Sequence, residues 1–209
     1  VKENELKINS KEMENSFFKI KFDDNGNIDS IYDKKAAREV LQEGEKANVL
    51  AAFEDKPHNW DAWDIDIYYQ EKRWEVNDLE KIEVLEEGPV RATVKLTKQF
   101  LDSKIEQLVQ IYSDLARIDY DTTIDWKEEQ VLLKAEFPVD IHSDKATYEI
   151  QYGNLERNTH SNTSWDKAQF EVVGHKWADI SEDNYGVSLL NDCKYGYDIQ
   201  GSTMRLTLL

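Results

Sequence analysis

Apolar and polar residues alternate with period two along most of the chain, which predicts strands in place of helices. After a polar lead of about ten residues, Phe18, Ile20 and Phe22 alternate with Lys19 and Lys21, pass Asn25-Gly26 and resume at Ile28. Asn-Gly between alternating runs predicts a hairpin, because both residues tolerate positive φ. A second hairpin is predicted where Ile82 and Val84 run into Gly88-Pro89, and Val90, Ala92, Val94 and Leu96 leave it. In 117–126, Ile118, Tyr120, Thr122, Ile124 and Trp126 face one way and Arg117, Asp119, Asp121, Thr123 and Asp125 the other, a dry face and a wet one. Val131, Leu133, Ala135, Phe137 and Val139 repeat that pattern, with Pro138 near the strand end where a missing donor is tolerated.

Further strands are predicted at 105–112, 148–152, 170–177 and 187–190, whereas only 34–42, KKAAREVLQ, has helical spacing. Thr203 to Leu209 alternates Met204, Leu206 and Leu208, which predicts a buried edge strand; its abrupt end points to a longer parent sequence. The pattern as a whole predicts an all-β fold, a large antiparallel β-sandwich with residues 1–209 as one domain and 1–10 as a loose lead-in.

The 209 residues suffice for a core without staples. The chain carries 26 basic and 43 acidic residues, a formal net charge of −17, so neither nucleic acid nor an anionic membrane surface is an expected partner. One cysteine, Cys193, excludes an internal disulfide, fits a reducing, cytoplasmic location, and is expected to be a small buried hydrophobe. No apolar run of membrane-spanning length is present.

The densest candidate chemistry is KPHNWDAWDIDIYY, residues 56–69. Aromatic faces cover the C–H face of a pyranose and carboxylates accept its hydroxyls, so this mixture suits a sugar site. As a strand it would point Trp63, Ile65, Ile67 and Tyr69 inward; as a helical turn it would group Trp60, Trp63, Asp64 and Ile67. The alternative is that the tryptophans plug the sandwich and the aspartates are solvated. His58, His142, His160 and His175 lack metal-ligand spacing, so no metal site is expected from this chain alone. His175 is expected in a sheet, and His160, beside Arg157 in a polar loop, is the better ligand candidate. No GxSxG is present to support Ser/His/Asp chemistry.

Three segments, FFKIKFDDNGNIDSIYDKKAAREVL at 17–41, FEDKPHNWDAWDIDIYY at 53–69 and YEIQYGNLERNTHSNTSWDKAQFEVVGHKWADISEDNYGVSLLNDCKYGYD at 148–198, resemble the C-terminal β-sandwich region of family 38 glycoside hydrolases, the zinc-dependent α-mannosidases. The resemblance is closest to the bacterial and cytosolic branch. It implies a β-region of the galactose-mutarotase-like supersandwich type, preceded in the parent enzyme by an α/β barrel and a helical bundle. It implies that the aspartate nucleophile and the zinc ligands lie in those absent domains, so no catalytic residue is carried over. Loops of this region would help shape the cleft, which marks Trp60, Asp61, Trp63, Asp64, Arg157, Asn191 and Asp192 as substrate-proximal. The expected partners are a mannose-containing glycan and the parent's own barrel and helical domains. An independent carbohydrate-binding module is the competing expectation, and a mutarotase a more distant one resting on fold analogy.

Overall fold

The computed structural model describes residues 6–61 and 63–209 and is almost wholly β. In chain order the strands are β1 (Lys7–Ile8), β2 (Glu12–Glu14), β3 (Phe18–Phe22), β4 (Ile28–Asp33), β5 (Arg38–Glu39), β6 (Val49–Glu54), β7 (Arg73–Glu75), β8 (Asp78–Glu87), β9 (Arg91–Phe100) and β10 (Ser103–Tyr112). There follow β11 (Ile118–Asp125), β12 (Val131–Pro138), β13 (Lys145–Ile150), β14 (Gly153–Asn158), β15 (Val172–Val173), β16 (Trp177–Glu182), β17 (Tyr185–Leu190), β18 (Gly196–Gln200) and β19 (Thr203–Thr207). A 3-10 turn at Ile67–Glu71 and a one-turn helix, α1 (Ser164–Lys167), interrupt them. All described strand pairs are antiparallel, and they form four sheets. The chain divides into two compact units, one of Val1–Ala47 and Val76–Glu129, the other of Asn48–Glu75 and Gln130–Leu209.

The first unit holds a five-stranded sheet, β1-β2-β3-β4-β5, and a four-stranded sheet, β11-β10-β9-β8. Ala92, Val94, Ile105, Val109 and Ile111 from the central strands are almost fully buried. Asn15, also fully buried, accepts from the Phe17 and Phe18 amides and donates to the Tyr112 carbonyl at 2.8 Å, which ties the two sheets together. The β3–β4 hairpin forms as predicted, but its turn is not a two-residue Asn-Gly turn. Only Gly26 has positive φ (73°) there, and the Asp23 carboxylate accepts from the amides of Asn25 and Asn27. The β8–β9 hairpin also forms.

Three expectations in this unit are corrected. Residues 34–42 contain no helix: Ala37 sits at φ 54°, β5 follows, and the Glu39 carboxylate binds the amides of Ile31, Val40 and Leu41. That side chain satisfies donors a helix would have given to carbonyls, and it lets Val40 and Leu41 be buried. On β11 the alternation survives, but its dry face is only half-buried, because β11 is an edge strand paired with β10 alone. Within the polar lead, whose first five residues lie outside the described residues, Leu6 is buried and β1 pairs with β2.

The second unit holds a six-stranded sheet, β15-β18-β19-β12-β6-β7, and a four-stranded sheet, β14-β13-β16-β17. Strand β19 lies between β18 and β12, so the edge strand expected at 203–209 is an interior one. The strand expected over 170–177 is broken at Gly174, where an added Cβ would stand 3.0 Å from the Tyr197 ring. Tyr197 of β18 meets Tyr148 of β13 edge-on, with ring centroids 6.0 Å apart, so apolar faces of the two sheets are packed together. The other face of the six-stranded sheet was expected to be wet on β12. It is not: Lys134 and Glu136 are as buried as the Leu133 and Ala135 with which they alternate.

Candidate functional site

Residues 56–66 leave β6 as a loop that the 3-10 turn closes. Trp60 adopts φ 64°, and its carbonyl accepts from the amides of Trp63 and Asp64 at 2.9 and 3.1 Å, so the segment turns back on itself. It is neither a strand nor a core plug: Trp60 is 74% exposed and Trp63 88%. Exposed Asp61 accepts from Gln130 Nε2 at 3.3 Å, exposed Asp64 accepts from the next backbone amide, and Asp66 fixes the loop entrance by accepting from the His58 amide at 2.6 Å. Below them the Asp55 carboxyl is pushed above its ordinary value by burial and by the charges of Asp61 and Asp66. The loop therefore presents two indoles and two carboxylates to solvent from a short, internally bonded turn.

The same segment is anchored through Tyr69, which is 3% exposed, packs edge-on against Phe53 at 5.3 Å and meets the tilted Phe170 ring at 6.3 Å. Its hydroxyl accepts from Lys134 Nζ at 3.0 Å and lies 3.4 Å from Asp198 Oδ2. Lys134 is fully buried and spends its other two protons on Asp198, at 2.6 Å, and on Glu171. Arg205 bridges Asp198 and Glu136 at 2.6 and 2.9 Å, and Arg73 completes the row on Glu136. Strand register puts these groups on one face, since Lys134 is opposite Thr207, Glu136 opposite Arg205, and Arg205 opposite Asp198.

Lys134, Asp198 and Glu136 are buried, and each buried charge has an opposite partner; Arg73, at the rim, is exposed and also pairs with Glu75. Burial works against the Lys134 ammonium, but Asp198 and Glu171 outweigh it and hold its pKa above the ordinary range. Burial pushes the Glu171 carboxyl up against the pull of Lys134. With its protons matched to acceptors the cluster is a clamp, not a reactive centre. The cluster is not legible in the sequence because Lys and Glu at period two on β12 look solvated; the complementary charges are Arg205, on a strand expected at the sheet edge, and Asp198, on β18, which the pattern does not predict.

Arg157 on β14 lies over the Tyr148 ring at 4.7 Å, and its buried Nη1 has no hydrogen-bond partner among the described residues; burial lowers its pKa. Asn191 closes a turn: its oxygen accepts from the amides of Cys193 and Lys194, and its nitrogen donates to the His175 carbonyl and the Tyr197 hydroxyl. Asp192 is exposed and offers its carbonyl to Lys176. Arg157 and Asn191 are thus linked through Tyr148 and Tyr197, while Trp60, Asp61, Trp63 and Asp64 form a separate group on the loop. Cys193 is exposed, contrary to expectation, and its neighbour Asp192 raises its pKa, which leaves it a protonated thiol. His175 donates its amide to the Glu149 carbonyl, and His160 Nδ1 stands 3.7 Å from Asp166. Among the described residues no group of three or more His, Cys, Asp or Glu could hold a metal ion, and no helix is long and apolar enough to cross a membrane.

The family model for the glycosyl hydrolases family 38 C-terminal domain matches residues 13–209. Alpha-mannosidase G of Dictyostelium discoideum is 42% identical over 206 residues, covering 94% of this chain and 19% of that protein. Alpha-mannosidase 2C1 of Homo sapiens is 39% identical over 199 residues, with the same 94% and 19% coverage. The chain therefore spans about a fifth of the length of these relatives. The crystal structure of an alpha-mannosidase from Enterococcus faecalis V583 superposes with a TM-score of 0.78 at 17% identity, covering 96% of this chain and 25% of that one, a likeness of fold. On the match over residues 13–209, the chain belongs to the family of C-terminal domains of family 38 glycosyl hydrolases.

Proposed function

We propose that this chain is the C-terminal β-region of an α-mannosidase that releases terminal α-mannosides from glycans, and that its part is to shape the substrate cleft. What carries this reading is the identity of about 40% with alpha-mannosidases across 94% of the chain. In this reading residues 1–209 act as one domain of a cytoplasmic enzyme, of the galactose-mutarotase-like supersandwich type, against barrel and helical domains supplied by the rest of the polypeptide. The mannosyl group passes to an aspartate outside this chain and then to water, with retention of configuration. Zinc bound by those other domains would hold the sugar hydroxyls.

The chain's own contribution is local. Trp60 or Trp63 covers a sugar face and Asp61 or Asp64 accepts a hydroxyl, while Arg157, Asn191 and Asp192 line the approach. Their exposure and fixed turn geometry support this role for the loop residues; Asn191 supports it indirectly, by holding the turn that carries Asp192. The assignment is tested by hydrolysis of p-nitrophenyl α-mannoside. The complete polypeptide is expected to turn over and the 209-residue chain alone to be inert. Turnover by the chain alone, or none by the complete polypeptide with metal supplied, overturns it.

A further inference from the structure

The four-stranded sheet of the second unit has an outward face that the loop site does not use. Its inward residues Ala146, Tyr148, Ala178 and Ile180 are all at most 2% exposed. Alternation therefore turns Thr147, Trp177, Asp179, Ser181 and Ser188 outward, and register sets Thr147 opposite Asp179 and Asp179 opposite Ser188. An ordinary solvated sheet face would carry long charged side chains at these positions. Here an indole stands beside a carboxylate and short hydroxyls, around a depression of about 330 Å³ lined by Thr147, Trp177, Asp179 and Ser188.

Further along β16 a second depression, of about 650 Å³, is lined by His142, Ser143, Ser181, Glu182, Asp183 and Asn184. Ser181 joins the two, since its hydroxyl donates to Asp179 Oδ1 at 2.5 Å while Ser188 donates to Oδ2 at 2.6 Å. Each carboxylate oxygen is fixed by one hydroxyl and keeps a lone pair for a ligand. Gly186, opposite Ser181, keeps the junction open: an added Cβ would fall 2.3 Å from the Ser181 hydroxyl.

We propose that this face is a binding track for a neutral oligosaccharide, in which Trp177 covers the C–H face of one pyranose and Asp179 accepts its hydroxyls. Neither depression is lined by Lys or Arg, and Asp179, Glu182 and Asp183 disfavour anions, so the face suits a neutral sugar better than a phosphorylated or acidic one. At about 3.3 Å per residue, the row from Trp177 to Ser181 extends roughly 13 Å, more than one ring can occupy. The fixed carboxylate lowers the ordering cost of binding. The choice of mannose as the sugar rests on the proposed function; the track itself does not.

The test is calorimetric titration of the 209-residue chain with methyl α-mannoside and with α-linked mannobiose. Saturable binding is expected for both, with mannobiose tighter by at least about threefold because it reaches the second depression. Trp177→Ala and the near-isosteric Asp179→Asn should each weaken it by about tenfold or more, and Trp74→Ala, which removes an exposed indole on β7 of the other sheet, should leave it within about twofold. Far-ultraviolet circular dichroism checks that each variant is folded, and Asp179→Asn decides the matter should Trp177→Ala unfold. Absence of saturable binding by either sugar, or binding indifferent to Asp179→Asn, overturns the proposal. Because it is read on the chain alone, its failure is distinct from failure of hydrolysis by the complete polypeptide.

Discussion

Two neighbouring regions of the second unit put aromatic and charged residues to opposite uses. The Trp60–Asp64 turn exposes its indoles, and the Asp61 and Asp64 carboxylates have few partners. The Lys134 clamp, reached from that turn through Tyr69, buries its charges and saturates them. A charge pattern in sequence does not distinguish the two cases, because burial is decided by which strand lies next door. Capacity to contact a ligand belongs to the unsaturated region, and capacity to hold a loop in place belongs to the saturated one.

The largest effect that would sharpen this contrast is expected from Lys134→Met. It leaves Asp198 and Glu171 buried without their shared cation, which costs about 3–5 kcal/mol in a urea denaturation series. Adding Asp198→Asn and Glu171→Gln should recover part of that loss, and no recovery would mean that the clamp is not an electrostatic unit. Next is Tyr69→Phe. It removes the acceptor for the third Lys134 proton and should destabilise by about 1–3 kcal/mol while leaving the aromatic packing in place.

How much of this was legible beforehand follows the same division. The hairpins around Asn25-Gly26 and Gly88-Pro89 were legible because alternation and turn residues agree locally. The exposed loop was legible as unusual, though its geometry was not, since a left-handed Trp60 follows no propensity rule. The false helix at 34–42 and the missed burial of Lys134 and Glu136 have one cause. In each case a long-range or side-chain partner, Glu39 for the backbone and Asp198 with Arg205 for the clamp, satisfies groups that local spacing assigns to a helix or to water.

Acid should separate the clamp from the first hairpin turn. For Asp23, burial works to raise the pKa, but Lys46 and the amides of Asn27 and Asn25 outweigh it and hold the carboxyl below its ordinary 3.8. A depressed folded-state value means that this stabilisation is present above the ordinary pKa and is lost as the pH falls through the folded one. The urea midpoint should therefore drop between about pH 5 and pH 3, and Asp23→Asn should remove part of that slope. An unchanged slope would show that the turn carboxylate is not held by these partners. Smallest of all, Trp60→Ala and Trp63→Ala should each change stability by less than about 0.5 kcal/mol, because both rings are exposed. A larger loss would show the rings to be structural and break the comparison.

The most direct measurement of the central claim is kcat/KM for an α-mannoside in the complete polypeptide with alanine at Trp60, Asp61, Trp63 and Asp64. A fall of about tenfold or more with an unchanged urea midpoint is the predicted result. A value within about twofold of the unsubstituted enzyme would contradict the assignment of this loop to the substrate cleft.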